Sequence, residues 1–273
     1  MSNILEVSNL TKTFRTGPSF RKRTVQAVKG VSFNIEQGKT YGLVGESGSG
    51  KSTVARLVSR LTEPTSGTIT FNGRDVSTMT AAQKFAYRRD VQIIFQDPYS
   101  ALNPRMTVEQ LITEPWVIHR MHTPKERRER ALKLMDQVGL PQSALERKPV
   151  SFSGGQRQRI MIARALALEP KLIVGDEPVS ALDVSVQAQV LNLLRDLQDE
   201  MGLSYLFISH DLSVVEFLSD RIGVMYLGDL VEEGTKESIY RNPQQEYTKR
   251  LISAIPTIDV PANHRMPRIA AQK

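Results

Sequence analysis

The chain has 273 residues and no cysteine, and this absence excludes several kinds of site. Disulfides, cysteine-ligated zinc and thiolate-held iron–sulfur clusters all require cysteine, so we expect no iron–sulfur cluster. The absence also fits a reducing compartment. No apolar run approaches the roughly 20 residues that a membrane span needs. The segment Met1–Glu6 lacks the basic and then apolar pattern of a secretory signal, so we expect a cytosolic protein.

The formal net charge is +7, but this charge does not identify a partner. A basic chain can bind nucleic acid, an anionic nucleotide or an anionic membrane surface. The basic residues are scattered except in the clusters 21–23 and 125–130, and the second cluster interleaves acids with bases, as an exposed helix face does. The composition, 40% hydrophobic and 24% charged, is typical of a globular protein with one large α/β domain or two smaller ones.

Strands are predicted in the first part of the chain. Val31, Phe33 and Ile35 alternate with polar residues, which is the pattern of a half-buried strand. The run 68–71 reads as another strand that enters an Asn-Gly turn. The short apolar run 91–95 predicts a central strand of a sheet.

Helices are predicted from about residue 98 to 165. Thr123, Pro124 and Glu126 form a helix start, with threonine as the cap, proline at the first position and glutamate three residues after the cap. Gly139 ends that helix.

The later part of the chain predicts a parallel sheet. The apolar runs 171–175 and 204–208 flank a helical segment of about 184–201, and this βαβ order is typical of parallel strands. Gly228-Asp229 between two apolar runs predicts a hairpin.

One glycine-rich segment fits the phosphate-binding pattern G-x-x-x-x-G-K-[S/T] without a mismatch. Its residues, all predicted to bind nucleotide, are Gly45, Glu46, Ser47, Gly48, Ser49, Gly50, Lys51, Ser52 and Thr53. A predicted strand precedes the segment and a helix follows it, so backbone N–H groups and the positive end of the helix would face phosphate. Lys51 would reach the β- and γ-phosphates and Ser52 would ligate Mg²⁺. The alternative is a glycine-rich turn without function.

Two further segments add to this chemistry. Asp176 and Glu177 end an apolar strand that we expect to neighbour the phosphate loop, where Asp176 could hold Mg²⁺ through water and Glu177 could polarise the attacking water. The alternative is an exposed acidic strand end. The segment 153–156, Ser-Gly-Gly-Gln, precedes a helix and could also approach a phosphate. A second such element in a chain that already has a phosphate loop indicates a nucleotide shared between two copies.

The order of these elements, together with Gln96, the segment 180–183 and His210, resembles the ATP-binding subunit of an ABC transporter from about residue 4 to 256. The resemblance implies an α/β fold of the P-loop NTPase class, with a mainly parallel core sheet, an N-terminal antiparallel β subdomain and an inserted α-helical subdomain at about 98–165. The domain would span 1–256, and we expect a poorly ordered tail at 257–273. The bound cofactors would be ATP and Mg²⁺.

The resemblance also implies roles for individual residues. Phe14 matches the aromatic residue that stacks on adenine, and Gln96 the residue that contacts Mg²⁺ or water and senses the membrane subunit. His210 matches the switch histidine that contacts the γ-phosphate, and Asp183 the loop that crosses the dimer interface. The signature that clamps the γ-phosphate of the opposite subunit is matched by Ser153, Gly154, Gly155 and Gln156. Phe152 departs from the leucine of many members, but the phosphate contacts come from the residues after it.

Three segments resemble the branch that imports dipeptides, oligopeptides and, in some members, nickel: 97–104, 176–185 and 242–251. Many members of this branch carry a four-cysteine iron–sulfur motif near the C-terminus. This chain has no cysteine, so that feature is not carried over.

The resemblance implies a peripheral protein on the cytoplasmic face of the inner membrane. Two ATPase subunits would pack head to tail around two ATP molecules, and a paralogue is the expected second subunit rather than a second copy. Two transmembrane permease subunits would dock around 96–104, with Leu102 on the docking surface, and a solute-binding protein would act indirectly. We expect no nucleic-acid partner.

The alternatives are other ATP- or GTP-binding proteins. A soluble ABC ATPase that acts on DNA or ribosomes usually has coiled-coil inserts, zinc-binding cysteines or tandem ATPase domains, and a P-loop GTPase or kinase lacks the signature. The sequence does not name the solute.

Overall fold

The computed structural model describes residues 2–16 and 23–254. Its strands are β1 (Asn3–Thr16), β2 (Arg23–Glu36), β3 (Thr40–Val44), β4 (Ser66–Phe71), β5 (Arg74–Asp75), β6 (Val91–Ile94), β7 (Leu172–Asp176), β8 (Ser204–Ser209), β9 (Arg221–Tyr226) and β10 (Asp229–Thr235). Its α-helices are α1 (Lys51–Val58), α2 (Ala81–Asp90), α3 (Pro98–Ala101), α4 (Val108–Ile118), α5 (Pro124–Gln137), α6 (Gly154–Leu166), α7 (Val184–Met201), α8 (Leu212–Leu218), α9 (Lys236–Arg241) and α10 (Glu246–Ser253).

The core of the fold is a six-stranded sheet in the order β10-β9-β3-β8-β7-β6. The pairs from β9 to β6 are parallel, and β10 is antiparallel to β9. The predicted hairpin is therefore present, with Leu227 and Gly228 at its turn and both at positive φ. The carboxyl ends of the parallel strands meet at one edge of the sheet, which is where ligands bind in open α/β sheets.

The position of β6 corrects one sequence prediction. The run 91–95 was expected to form a central strand, but among the described strands β6 pairs only with β7 and lies at the edge of the sheet. Its apolar character has another cause, because α2 and α6 both pack against it. A strand covered by helices reads as apolar whether or not it has two strand neighbours. The order also corrects a second expectation, since β8 lies between β7 and the phosphate-loop strand β3.

A second sheet of four strands, in the order β2-β1-β4-β5, is antiparallel. Leu5, Leu10 and Val28 from this sheet share a buried core with Val54 and Leu57 of α1. The N-terminal antiparallel sheet that the sequence predicted is therefore packed directly on the helix that follows the phosphate loop.

Helices α3 to α6 occupy the range where helices were predicted. Thr123 caps α5 with the reciprocal bonds of a capping box to Glu126, and Gly139 follows the helix at φ +68°, as expected. Helix α2 was missed, although Thr80 and Gln83 form a capping box that could have revealed it. The subdomain boundaries stay a prediction. Within the described residues no helix is both long and apolar enough to span a membrane, and the expected tail at 257–273 lies outside them.

Candidate nucleotide site

The phosphate-loop segment connects β3 to α1 at the carboxyl edge of the parallel sheet and lines an open cleft of about 630 Å³. The lining residues outside the loop come from distant parts of the chain and include Ala27, Gln96, Glu177, His210 and Leu251. A volume of this size is in the range of small-molecule and cofactor sites.

Two glycines let the loop pass between its neighbours. At Gly45, which has φ +147°, a Cβ atom would lie 2.1 Å from the carbonyl oxygen of Met225. At Gly50, with φ +107°, it would lie 2.2 Å from the carbonyl oxygen of Ala27. Any side chain at these positions would clash with backbone, so the loop path requires glycine.

Lys51 is held inside this loop. Its side chain is 4% exposed, and Nζ donates hydrogen bonds to the carbonyl oxygens of Gly45 at 2.6 Å and Glu46 at 2.8 Å. Burial lowers the pKa of Lys51, and the nearby carboxylates of Glu177 and Asp176 oppose that shift. The phosphate loop thus encloses the Lys51 ammonium group. A phosphate bound there would favour the charged form of Lys51, because an anion stabilises a nearby cation.

Ser52 and Asp176 form a pair of oxygen ligands beside the loop. The Ser52 hydroxyl, on α1, donates a 2.8 Å hydrogen bond to Oδ1 of Asp176 at the end of β7. The contact forms although β8 lies between β7 and β3, the strand that leads into the phosphate loop. The pKa of Asp176 is raised above its ordinary value, because the effect of burial is larger than the opposing effect of the hydrogen bond from Ser52. Hydroxyl and carboxylate oxygens suit Mg²⁺, which proteins usually hold with one or two carboxylates and substrate phosphates. No group of three or more histidine or acidic side chains in the described ranges forms a metal cage by itself.

Glu177 brings three of the predicted catalytic residues together. Its Oε2 atom accepts a hydrogen bond from Nε2 of Gln96 at 3.2 Å and lies 2.9 Å from Nδ1 of His210. Gln96 follows β6, Glu177 follows β7 and His210 follows β8. Glu177 also has a positive φ of 51°, an uncommon conformation for this residue type that often marks functional sites.

Other predicted residues lie away from the cleft. Phe14 does not line it; Phe14 pairs with Val25 of β2, two residues before the lining residue Ala27. The Ser153 hydroxyl caps α6 by accepting from the backbone N–H of Gln156, and the Asp183 side chain caps α7. A Cβ atom on Gly155 would lie 2.2 Å from Cγ1 of Val186 in α7. The signature and Asp183 were predicted to act on an opposite subunit, and those roles stay predictions.

The expected docking segment needs a correction at Leu102. This side chain is 2% exposed and belongs to the main hydrophobic core, so it is not available to a partner. It follows the single turn of α3 and points into the core, whereas Tyr99 on the same turn is 65% exposed. The Tyr99 ring lies 3.9 Å from the guanidinium of Arg157. Tyr99 is therefore an exposed large aromatic side chain that this segment offers to a partner.

Sequence reasoning missed two contacts that hold the loop. The Tyr247 hydroxyl accepts a 3.1 Å hydrogen bond from the backbone N–H of Glu46. The backbone N–H of Gly228 donates to the carbonyl oxygen of Ser49 at 2.9 Å. The only sequence signal for the first contact is that Tyr247 lies within the segment 242–251.

Comparisons with known proteins agree with this site. A family model described as ABC transporter matches residues 28–180, and one described as oligopeptide/dipeptide transporter, C-terminal region, matches residues 231–273. The chain is 52% identical over 257 residues to the oligopeptide transport ATP-binding protein AppF of Bacillus subtilis. The alignment covers 93% of this chain and 78% of AppF. It is 52% identical over 249 residues to the dipeptide transport ATP-binding protein DppF of Haemophilus influenzae. That alignment covers 91% of this chain and 76% of DppF.

Among solved structures, the dimeric ATP-binding cassette MJ0796, in a post-hydrolysis state bound to ADP and Pi, aligns with a TM-score of 0.74 and 31% identity. The alignment covers 85% of this chain and 98% of that chain.

Proposed function

Since the chain belongs to the ABC transporter family and is an ATPase with that family's fold, as its motifs predicted, we propose that it powers the import of peptides. The observation that carries the ATPase chemistry of this proposal is that Gln96, Glu177 and His210 meet in the lining of the phosphate-loop cleft. A carboxylate held by two polar partners beside a phosphate site is suited to general-base chemistry.

Each residue of the site would have a separate role in ATP hydrolysis. The loop from Gly45 to Thr53 and the ammonium of Lys51 would bind the phosphates, and Ser52 with Asp176 would hold Mg²⁺. When bound, Mg²⁺ neutralises charge on the phosphate oxygens. Glu177 would accept the proton of the attacking water, because its Oε2 is already oriented by Gln96 and His210. His210 would also contact the γ-phosphate, and Gln96 would contact Mg²⁺ or the water.

A second ATPase subunit would complete the site. Ser153, Gly154, Gly155 and Gln156 would bind the γ-phosphate of the nucleotide on the opposite subunit, and Asp183 would cross the interface. The dimeric state of the MJ0796 relative supports this arrangement. ATP that contacts both subunits favours the closed pair, and hydrolysis removes that preference, which is a shift of population between two states. We propose a paralogue as the second subunit.

The names of the relatives support peptides as the transported solute. AppF and DppF are named as oligopeptide and dipeptide transport proteins, and residues 231–273 match a region described for such transporters. We therefore assign this chain two permease subunits and, through them, a solute-binding protein. The chain would sit at the cytoplasmic face of the membrane, with Tyr99 at the contact and Phe14 stacked on adenine. The domain is assigned to 1–256 with a helical subdomain at about 98–165, and no iron–sulfur cluster is proposed.

The test is a reconstituted transporter. The chain, its cognate permease and second ATPase are placed in liposomes, and Mg-ATP turnover is measured with solute-binding protein that is empty or loaded with di- and oligopeptides. We expect the peptide-loaded solute-binding protein to stimulate ATP turnover. Lys51→Ala should abolish the turnover, whereas Lys84→Ala on α2, outside the cleft, should retain it. Stimulation by duplex DNA or ribosomes without a response to peptide would favour the soluble ABC ATPase instead.

A further inference from the structure

Tyr247 connects the C-terminal segment (residues 242–251) to the phosphate loop. Its hydroxyl accepts the backbone N–H of Glu46, which is part of that loop, at 3.1 Å. Leu251, one helical turn later on α10, lines the same cleft. Residues four apart lie on one face of a helix, so α10 turns one face towards the nucleotide cleft.

The start of this segment is itself fixed to the core sheet. The Glu232 carboxylate on β10 accepts the backbone N–H groups of Gln244 at 2.7 Å and Gln245 at 3.0 Å. The Tyr247 ring packs on Tyr226 at the end of β9, with ring centroids 4.3 Å apart. The tyrosine hydroxyl is therefore carried by an anchored helix, and its position relative to the loop is determined by the sheet.

We propose that Tyr247 is a positioning residue for nucleotide binding, which presets the phosphate loop by holding the N–H of Glu46. Three of the nine loop residues are glycines, Gly45, Gly48 and Gly50, so few side chains restrain its backbone. A preset loop loses less conformational freedom when phosphate binds, and pre-organisation of this kind raises affinity. This inference rests on the proposed function, because it assigns the loop to nucleotide.

The phenol has the protonation state that the contact needs. Partial burial raises the pKa of Tyr247, and the hydrogen bond from Glu46 opposes that rise. The hydroxyl therefore stays neutral at physiological pH and accepts the amide proton through its oxygen.

The test compares Tyr247→Phe with Tyr240→Phe in the purified chain. Tyr240 provides a matched control, because its hydroxyl also bonds a backbone group, the carbonyl of Leu212, in the same C-terminal region but away from the loop. For Tyr247→Phe we expect the Kd for both ATP and ADP to rise about fivefold, the effect of one neutral hydrogen bond. The kcat, measured with the second ATPase subunit and the permease present, should remain within about twofold of the parent, because the chemistry of Glu177 is untouched.

A second measurement reports on the loop directly. Hydrogen exchange of the Glu46 amide should accelerate in Tyr247→Phe and not in Tyr240→Phe, a difference that a general loss of stability would not produce. Unchanged Kd and unchanged exchange in Tyr247→Phe, with nucleotide binding intact in the parent, would overturn the positioning role alone. A parent chain that binds no nucleotide would overturn the proposed function and this inference with it.

Discussion

The Nδ1 atom of His210 lies 2.9 Å from the Oε2 atom of Glu177, and Nε2 of Gln96 donates to the same oxygen at 3.2 Å. The three residues follow three different strands of the parallel sheet. One carboxylate oxygen is thus held from two sides, so its orientation does not depend on a single flexible side chain. This arrangement makes Glu177 the residue whose replacement tests the chemistry most directly.

We predict that Glu177→Gln binds Mg-ATP but hydrolyses it about 10²- to 10⁴-fold more slowly, the range that a positioned general base contributes. The amide keeps the size of the side chain and can still contact Gln96 and His210, but it cannot accept a proton from water. ATP turnover, nucleotide retention and the mass of the dimer measure the effect. Glu200→Gln, an exposed glutamate near the end of α7, is the control. Turnover within a few-fold of the parent would remove Glu177 from the catalytic role.

The sequence predicted the site well where a motif determines its own local structure. The phosphate loop needs a strand, a glycine turn and a helix in direct succession, and all three are readable from adjacent residues. Asp176 and Glu177 were placed near it because they end an apolar run that was expected to neighbour the loop, and parallel strands bring their carboxyl ends to one edge. His210 was placed there by its match to the family's switch histidine. The Ser52–Asp176 hydrogen bond shows that this logic held even though the strand order was wrong.

The sequence could not predict features that depend on packing between distant segments. Tyr247 contacts Glu46 across 201 positions, and no local pattern encodes that pairing. The run of β6 is apolar because helices cover it, so its sequence did not distinguish an edge strand from a central strand. Leu102 was expected on the docking surface because the resemblance places that surface around 96–104, whereas its burial depends on how α3 lies on the core.

The two signature glycines should respond differently to alanine. At Gly155 the added methyl would lie 2.2 Å from Cγ1 of Val186, a stiff β-branched side chain on α7, so we predict a loss of about 1–3 kcal/mol in the free energy of unfolding. At Gly154 the methyl would meet Cδ2 of Leu182 at an ordinary 3.6 Å, and stability should change by less than about 0.5 kcal/mol.

Gly154→Ala separates folding from assembly. If this glycine faces the γ-phosphate of the opposite subunit, the variant should fold normally and lose ATP-dependent dimerisation and turnover. Chemical denaturation of the purified chain measures stability, and light scattering with ATP and the second ATPase subunit measures dimerisation. A Gly154→Ala chain that dimerises and turns over like the parent would contradict the proposed role, and equal stabilities of the two variants would contradict the packing argument.

Glu232 should give the fold a defined pH dependence. Partial burial raises the pKa of this carboxyl, but the hydrogen bonds from Gln244 and Gln245, together with the Thr248 side chain and the charge of Lys249, outweigh it, and the net pKa lies below its ordinary value of 4.5. A depressed pKa in the folded state means that the ionised form stabilises the fold above pH 4.5 and that this contribution is lost as the pH falls through the folded value.

We therefore predict that Glu232→Gln lowers Tm at pH 7 and that the difference from the parent shrinks as the pH falls below 4.5. Thermal unfolding from pH 3.5 to 8 measures it, with Glu200→Gln as the control. A difference in Tm that is the same at every pH would show that the charge of Glu232 does not matter. Because Glu232 anchors the C-terminal segment, Glu232→Gln should also weaken nucleotide binding above pH 4.5.

The last prediction concerns docking and separates the importer from a soluble ATPase. Tyr99 is 65% exposed, so Tyr99→Ala should weaken co-purification with the permease by about tenfold or more, as aromatic interface residues commonly do, and leave nucleotide affinity unchanged. Leu61→Ala, which truncates another exposed apolar residue after α1, should do neither. Leu102→Asp would instead bury a carboxylate in the core and unfold the chain, so it cannot test docking. Normal permease binding by Tyr99→Ala would overturn the docking role of Tyr99 alone. A parent chain that does not bind the permease and binds duplex DNA tightly, with an affinity that falls steeply with salt, would refute the importer assignment.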